Sequence, residues 1–305
     1  MPSFKSQLLY FLMKNRHLLR GRLRAPVWDM NTSIEDFRRQ AEGTTRALTQ
    51  PVEGVRAERL TVCGLPAEWL IPENEIPRRA ILYAIGGGYV SGSCNDHRAM
   101  ISKLARGSRV RVLLLEHRLA PEHRFPAPVE DMLAGYQWLL EQGYQAAQLQ
   151  LAGESAGGGL ALAALLALRD RGLPLPAAAA VMSPFTDLAL TGESHVTRAR
   201  QCLSPRGMSE VCVRHYLGDQ DPRHPWASPL YGDLRGLPPL LIYVGDYETL
   251  RDDATRFAAK AQAAGMDVTL RIGAQMIHCY PLLAPMFPEA TQALDEICEF
   301  IRKHT

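Results

Sequence analysis

Six short, mostly apolar runs punctuate the chain: Ala80–Ile85, Val110–Leu115, Leu149–Ala152, Ala177–Met182, Leu240–Val244 and Val268–Ile272. Runs this short, without strict alternation, suit strands that are buried on both faces. Between and after them lie longer stretches with helical character: His97–Ala105, Ala127–Glu141, Ala156–Arg171, Asp253–Ala264 and Pro288–Lys303. Strand and helix in regular alternation call for a parallel sheet with helices on both faces. Upstream, Val55–Val62 and Ala67–Ile71 read as two strands around a Gly64-Leu65-Pro66 turn.

The rhythm fails from Thr186 to Leu237. That stretch is polar, rich in proline and glycine, and without a strong strand signal, so it reads as an insertion over one end of the sheet. With 305 residues, 47% of them apolar, the chain can bury a large core without staples. A net charge of +2 gives no electrostatic case for a nucleic-acid partner. The six cysteines form no CxxC pair, which argues against a zinc site or a disulfide framework. Free thiols in a reducing cytoplasm are the expectation.

The first 24 residues are basic and contain an apolar run at Leu8–Met13. A signal peptide places its charges before such a run, whereas here Lys14, Arg16, Arg20, Arg22 and Arg24 follow it. The run is too short to span a bilayer, so no stable membrane insertion is expected. An amphipathic helix packed on the protein is the first reading, and a peripheral membrane contact is the second.

Gly153-Glu154-Ser155-Ala156-Gly157 matches G-x-S-x-G. Composition alone would produce that pattern about one time in ten in a chain this long. Its context is specific, because an apolar strand precedes it and a long Ala/Leu helix follows, as a nucleophile elbow requires. The turn is so tight that glycines must flank the serine, which then projects at the positive end of the following helix. Gly86-Gly87-Gly88 ends the Ala80–Ile85 strand and can turn backbone amides toward a developing oxyanion. The amides of Gly87, Gly88 and Ala156 are the expected donors. In this strand-turn-helix chemistry the acid and then the base follow the serine along the chain. His278 stands a short loop beyond Val268–Ile272, and the only later histidine is the penultimate residue, His304. The acid should lie after Leu240–Val244, where spacing leaves Asp246 and Glu248 both open and Asp187 more distant.

These residues, from about Ile81 onward, resemble the hormone-sensitive lipase family of bacterial esterases. The resemblance is carried by GGGYVSGS at Gly86–Ser93, HRLAPEHRFPAPVED at His117–Asp131 and GESAGGGLALA at Gly153–Ala163. SPFTDL at Ser183–Leu188, LPPLLIYVGDYETLRDDA at Leu237–Ala254 and Met276-Ile277-His278 complete it. It implies an α/β-hydrolase fold with an eight-stranded, mostly parallel sheet and a helical cap. The implied division is cap helices over 1–50, a catalytic core over 51–185 and 233–305, and a cap insertion over 186–232. The family's D/E-x-L-x-D acid motif falls on Glu248, Leu250 and Asp252, which favours Glu248 as the acid.

Two positions depart from the family pattern. Ile85 stands where H-G-G-G usually begins, so the oxyanion loop is expected to be held by packing. His117 replaces the tyrosine usual before R-L-A-P-E, at a position expected to support the fold more than the chemistry.

The implied activity is a carboxylesterase acting on short- to medium-chain acyl esters through Ser155, His278 and Glu248, with no metal or organic cofactor. Tyr89 and Phe185 are candidate pocket walls, and Cys279 stands beside the base. The partner is a small-molecule ester, and the resemblance also implies a homodimer through the edge strand Val268–Ile272. An amide or lactone hydrolase would use the same triad. A ligand-binding receptor on this fold typically loses the histidine that stands here at 278.

Overall fold

A computed structural model describes residues 2–15, 18, 27–40 and 52–304. The expected N-terminal helices over 1–50 therefore fall partly outside the described residues. Within them, α1 spans Phe4–Lys14 and residues 34–40 are helical.

Eight strands form one sheet in the order β1-β2-β4-β3-β5-β6-β7-β8. They are β1 (Val55–Val62), β2 (Leu65–Pro72), β3 (Ala80–Ala84), β4 (Arg111–Leu115), β5 (Leu149–Glu154), β6 (Ala178–Met182), β7 (Leu240–Gly245) and β8 (Val268–Gly273). β1 and β2 form a hairpin, and β2 joins β4 antiparallel. The β4–β3, β3–β5, β5–β6, β6–β7 and β7–β8 pairs are all parallel. Crossover helices make that arrangement possible: α2 (Cys94–Ser108), α3 (Ala127–Glu141), α4 (Ala156–Asp170) and α7 (Arg251–Ala263), with α8 (Pro288–Lys303) following β8. The segment without strand signal holds two short helices, α5 (Ser194–Thr197) and α6 (Met208–Leu217), and one 3₁₀ turn at Pro229–Tyr231.

The apolar runs are continuous because the sheet is covered on both sides. Side chains alternate across a strand. Leu82 and Ala84 of β3 enter one core, while Ile81 and Tyr83 enter the other. Ile242 and Val244 of β7 split in the same way from Leu241 and Tyr243. Gln150 and Glu154 are the buried polar side chains of β5, and Gln150 Nε2 donates to the Ile301 carbonyl at 2.8 Å, tying the last turn of α8 to the sheet.

The helix after the Gly86–Gly88 loop starts at Cys94, three residues before the expected His97. Ser93 and Asp96 form a reciprocal capping box there, satisfying two amides that would otherwise lack partners. This cap brings the side chains of α2's first turn toward the C-terminal ends of β3 and β5.

Candidate active site

The parallel strands β3 and β5 end side by side, with Ala84 paired to Gly153. Ser155 follows β5 in a left-handed backbone conformation, φ 56° and ψ −125°, and α4 begins at the next residue. A non-glycine residue there is strained, and the surroundings must hold it. The Ser155 amide donates to the Met182 carbonyl at 2.8 Å, and its carbonyl accepts from Gly159 and Phe185. A Cβ on Gly157 would lie 2.1 Å from the Ala84 carbonyl oxygen, and one on Gly153 would lie 2.5 Å from that of Gly157. Both glycines are therefore required by backbone contact at the elbow.

The loop after β3 is pinned at several points. The Gly86 amide donates to Glu154 Oε1 at 2.6 Å. The Gly87 carbonyl accepts from the amides of Val90 and Ser91 and from the Ser91 hydroxyl. Gly87 and Gly88 both have positive φ, 122° and 67°. Among the described residues no acceptor takes the amide of Gly87 or Gly88. Ala156 is the first residue of α4, so its amide also faces out of the helix. Gly87 and Gly88 line the same cavity as Ser155, and Ala156 is the next residue along the chain from that serine.

His278 lines the same cavity. Its Nδ1 lies 2.5 Å from Glu248 Oε2. Glu248 is fully buried, and its other oxygen accepts from the Ser183 hydroxyl at 2.7 Å and the Gly245 amide at 2.6 Å. Ser183 is itself fixed, because its Oγ accepts from the Cys279 amide at 3.0 Å. Of the carboxylates left open by spacing, Glu248 is the one that touches His278. Asp246 instead pairs with Arg198 and Arg251 at 2.9 and 3.2 Å. Asp187 pairs with Arg256 and accepts from Thr191 and Tyr231.

Burial opposes a charge on the His278 imidazole, but Cys279 and Glu248 beside it outweigh burial, so its pKa stands above the ordinary histidine value. Burial also raises the Cys279 pKa, which keeps that group a neutral thiol near pH 7. Glu248 is then the standing source of the upward push.

The cavity holds about 310 Å³. Phe37, Met100, Phe185, Met208, Leu282 and Leu283 give it apolar walls. Phe185 lines it. Tyr89 does not, which corrects the expectation that it forms a wall. Its backbone is left-handed (φ 63°), and its ring is buried and stacks on Tyr216 with centroids 3.9 Å apart. Among the described residues no cluster of His, Cys, Asp and Glu is arranged to hold a metal ion.

The roles of His117, His97 and Glu154 at the site escaped the sequence reading. His117 Nε2 lies 3.1 Å from the Ile85 carbonyl, so this histidine braces the start of the Gly86–Gly88 loop as well as the fold. Ile85 is buried in the core and packs as expected, but packing is not the loop's only support. His97 is buried between two carboxylates, with Nδ1 2.5 Å from Asp96 and Nε2 2.7 Å from Glu154. Glu154 also accepts from the Tyr83 hydroxyl and, as described, from the Gly86 amide. The sequence did carry one signal, a carboxylate inside G-x-S-x-G at the end of a buried strand, which needs partners.

Comparison with known proteins agrees with this geometry. The family described as alpha/beta hydrolase fold matches residues 81–282. An acetyl-hydrolase of Streptomyces hygroscopicus is 46% identical over 247 residues, covering 81% of this chain and 82% of that protein. The crystal structure of an esterase from the bacterial hormone-sensitive lipase family superposes with a TM-score of 0.91 at 42% identity, over 100% of this chain and 99% of that one. The esterase EstE5, soaked with p-nitrophenyl butyrate, gives a TM-score of 0.91 at 40% identity over 99% of each chain. A family match over most of the chain, with esterases that superpose end to end, shows that the protein belongs to the α/β-hydrolase family, in its hormone-sensitive lipase group.

Proposed function

We propose that this carboxylesterase cleaves short- to medium-chain acyl esters through a Ser155–His278–Glu248 relay and an acyl-enzyme intermediate. The observation that carries the proposal is His278 held by buried Glu248 at 2.5 Å while lining the cavity that Ser155 also lines. In this reading His278 takes the Ser155 proton as Oγ adds to the ester carbonyl. The oxyanion is stabilised by the amides of Gly87, Gly88 and Ala156. The tetrahedral intermediate collapses, His278 returns the proton to the departing alkoxide, and an acyl-serine remains. Water then adds by the same relay, its proton passing to His278 and back to Ser155 as the carboxylic acid leaves. Glu248 keeps the imidazole in the tautomer with its free nitrogen toward Ser155.

The cavity size supports small substrates, since about 310 Å³ lies at the low end of ligand pockets, which run to about 1,000 Å³. A similar esterase soaked with p-nitrophenyl butyrate is consistent with that class. In this reading residues 1–50 and 186–232 cap the 51–185 and 233–305 core and supply Phe37 and Met208 to the wall. The six free cysteines suit a reducing compartment such as the cytoplasm. Among the described residues no helix is long and apolar enough to cross a membrane.

The test is hydrolysis of p-nitrophenyl esters from acetate to palmitate by wild type and Ser155→Ala. The expected result is turnover that peaks at short acyl chains and collapses in the variant. A folded wild type inert across the series, or a fully active Ser155→Ala, overturns the proposal.

A further inference from the structure

Helix α1 has two apolar faces, and among the described residues the fold packs on only one of them. Its inner face is firmly fastened. Ser3 caps the helix and donates to Glu289 Oε2 at 2.8 Å. Leu9, Tyr10 and Met13 pack against the core. The Tyr10 hydroxyl donates to the Gln201 carbonyl at 3.0 Å, and its ring meets that of Tyr247 at 5.2 Å. The opposite face carries Phe4, Leu8, Phe11 and Leu12, all exposed, with Phe4 at 79% and Phe11 at 61%. At 3.6 residues per turn these four fall within an arc of about 100°. Lys5 borders one side of the arc and Lys14 the other. A narrow apolar stripe flanked by lysines is how a helix lies in the plane of a lipid interface, with the rings among acyl chains and the ammonium groups at headgroup level.

The charge distribution singles out the sign of the surface. Residues 1–28 contain Lys5, Lys14, Arg16, Arg20, Arg22 and Arg24 and no Asp or Glu. The whole chain is +2, so the remaining residues sum to −4. An anionic surface attracts the first stretch and repels the rest, which also sets the orientation. A second copy fits less well, because a twofold contact would press two such basic faces together.

Helix α1 also touches segments that lead to the cavity wall. Gln201, which holds Tyr10, is three residues from Ser204 in the cavity wall. Lys5 shares a surface groove with Pro285 and Phe287, just beyond the wall residues Leu282 and Leu283, and Met286 between them is exposed. We propose that the outward face of α1 docks the protein on an anionic lipid surface, with the cavity beside the contact, so that esters dissolved in the lipid reach it directly. This docking does not depend on the catalytic assignment above.

The experiment is co-sedimentation of the full chain with phosphatidylcholine vesicles, with and without phosphatidylglycerol, at low and high salt. Wild type should pellet with phosphatidylglycerol vesicles and be released by salt. The double variant Phe4→Ser/Phe11→Ser and the double variant Lys5→Glu/Lys14→Glu should each bind about tenfold more weakly or less. Both should keep the wild-type melting temperature and wild-type turnover of p-nitrophenyl acetate, since none of the four residues lines the cavity. Wild type remaining in the supernatant at low salt overturns the proposal, as does equal binding by the serine variant. A wild-type dimer that Phe4→Ser/Phe11→Ser dissociates, without vesicle binding, also overturns it and assigns the stripe to a subunit contact.

Discussion

Replacing His97 with leucine tests whether the charged cluster behind the Gly86–Gly88 loop is part of the machinery. His97 lies between Asp96 and Glu154, and Glu154 holds the Gly86 amide. Burial disfavours the imidazolium, but Glu154 and Asp96 outweigh it and raise the pKa from 6.5 to about 10. At ~1.4 kcal/mol per tenfold change, that rise is worth up to about 5 kcal/mol of stability. The sign follows from the direction. A raised folded-state pKa contributes stability that is fully present below pH 6.5 and is lost as pH rises through about 10. Removing one partner from a buried ion pair has a cost of similar size, about 3–5 kcal/mol.

For a domain this large, each kcal/mol lowers the melting temperature by about 2 °C, so His97→Leu should melt about 6–10 °C below wild type at pH 6.5. Thermal melts from pH 6 to pH 10 should show the gap closing as pH rises, because only wild type has this proton to lose. Turnover should fall by up to about 10²-fold with KM little changed, because a Glu154 left without its cation no longer fixes Gly86. A variant within a degree of wild type at pH 6.5, with a parallel pH dependence, refutes the reasoning.

Glu248→Gln should lower kcat by about 10³–10⁴-fold, since the amide cannot hold the imidazole tautomer or stabilise its charge. Asp246→Asn should change kcat by less than about threefold, because Asp246 pairs with Arg198 and Arg251 rather than with His278. In wild type the acid limb of kcat/KM should lie above pH 6.5, because the base must be neutral and its pKa is raised; in Glu248→Gln any residual activity should show that limb at lower pH. His117→Phe leaves the Ile85 carbonyl without its donor and should cost about 1–3 kcal/mol in chemical denaturation, with kcat reduced more than KM. Gly157→Ala puts a methyl 2.1 Å from the Ala84 carbonyl oxygen, so it should destabilise by about 1–3 kcal/mol or more and abolish turnover of p-nitrophenyl acetate.

Much of the fold was legible because burial writes itself into local composition. Ala80–Ala84 and Ala178–Met182 are wholly buried strands, and nothing but a two-sided core explains such runs. The elbow was legible for a related reason, since Gly153 and Gly157 touch backbone and admit no side chain. Sheet order was not legible, because β4 precedes β3 in space and only long-range pairing decides that. The direction of a side chain from a loop was equally hidden. Tyr89 and Phe185 looked alike as wall candidates, yet the Tyr89 ring is buried in the core against Tyr216.

The replacement at position 85 shows why a motif departure need not remove a function. Stabilising an oxyanion needs fixed amides, and any hydrogen bonds that hold the loop will serve. A histidine at 85 would brace the loop from within. Here the Ile85 carbonyl is held from outside by His117 Nε2, and the Gly86 amide by Glu154, which His97 neutralises. These donors come from the segment after β4 and from the first turn of α2, 32 and 57 residues away from the groups they hold. A motif scan sees only Ile85, because the compensating contacts have no fixed spacing. The comparison that separates the two views is the pair His117→Phe and His97→Leu combined. If the braces act on one loop, the double variant should lose less activity than the two separate losses multiplied, because the loop is already loose after the first. If the losses simply multiply, the two histidines act independently, and the loop is not their common target.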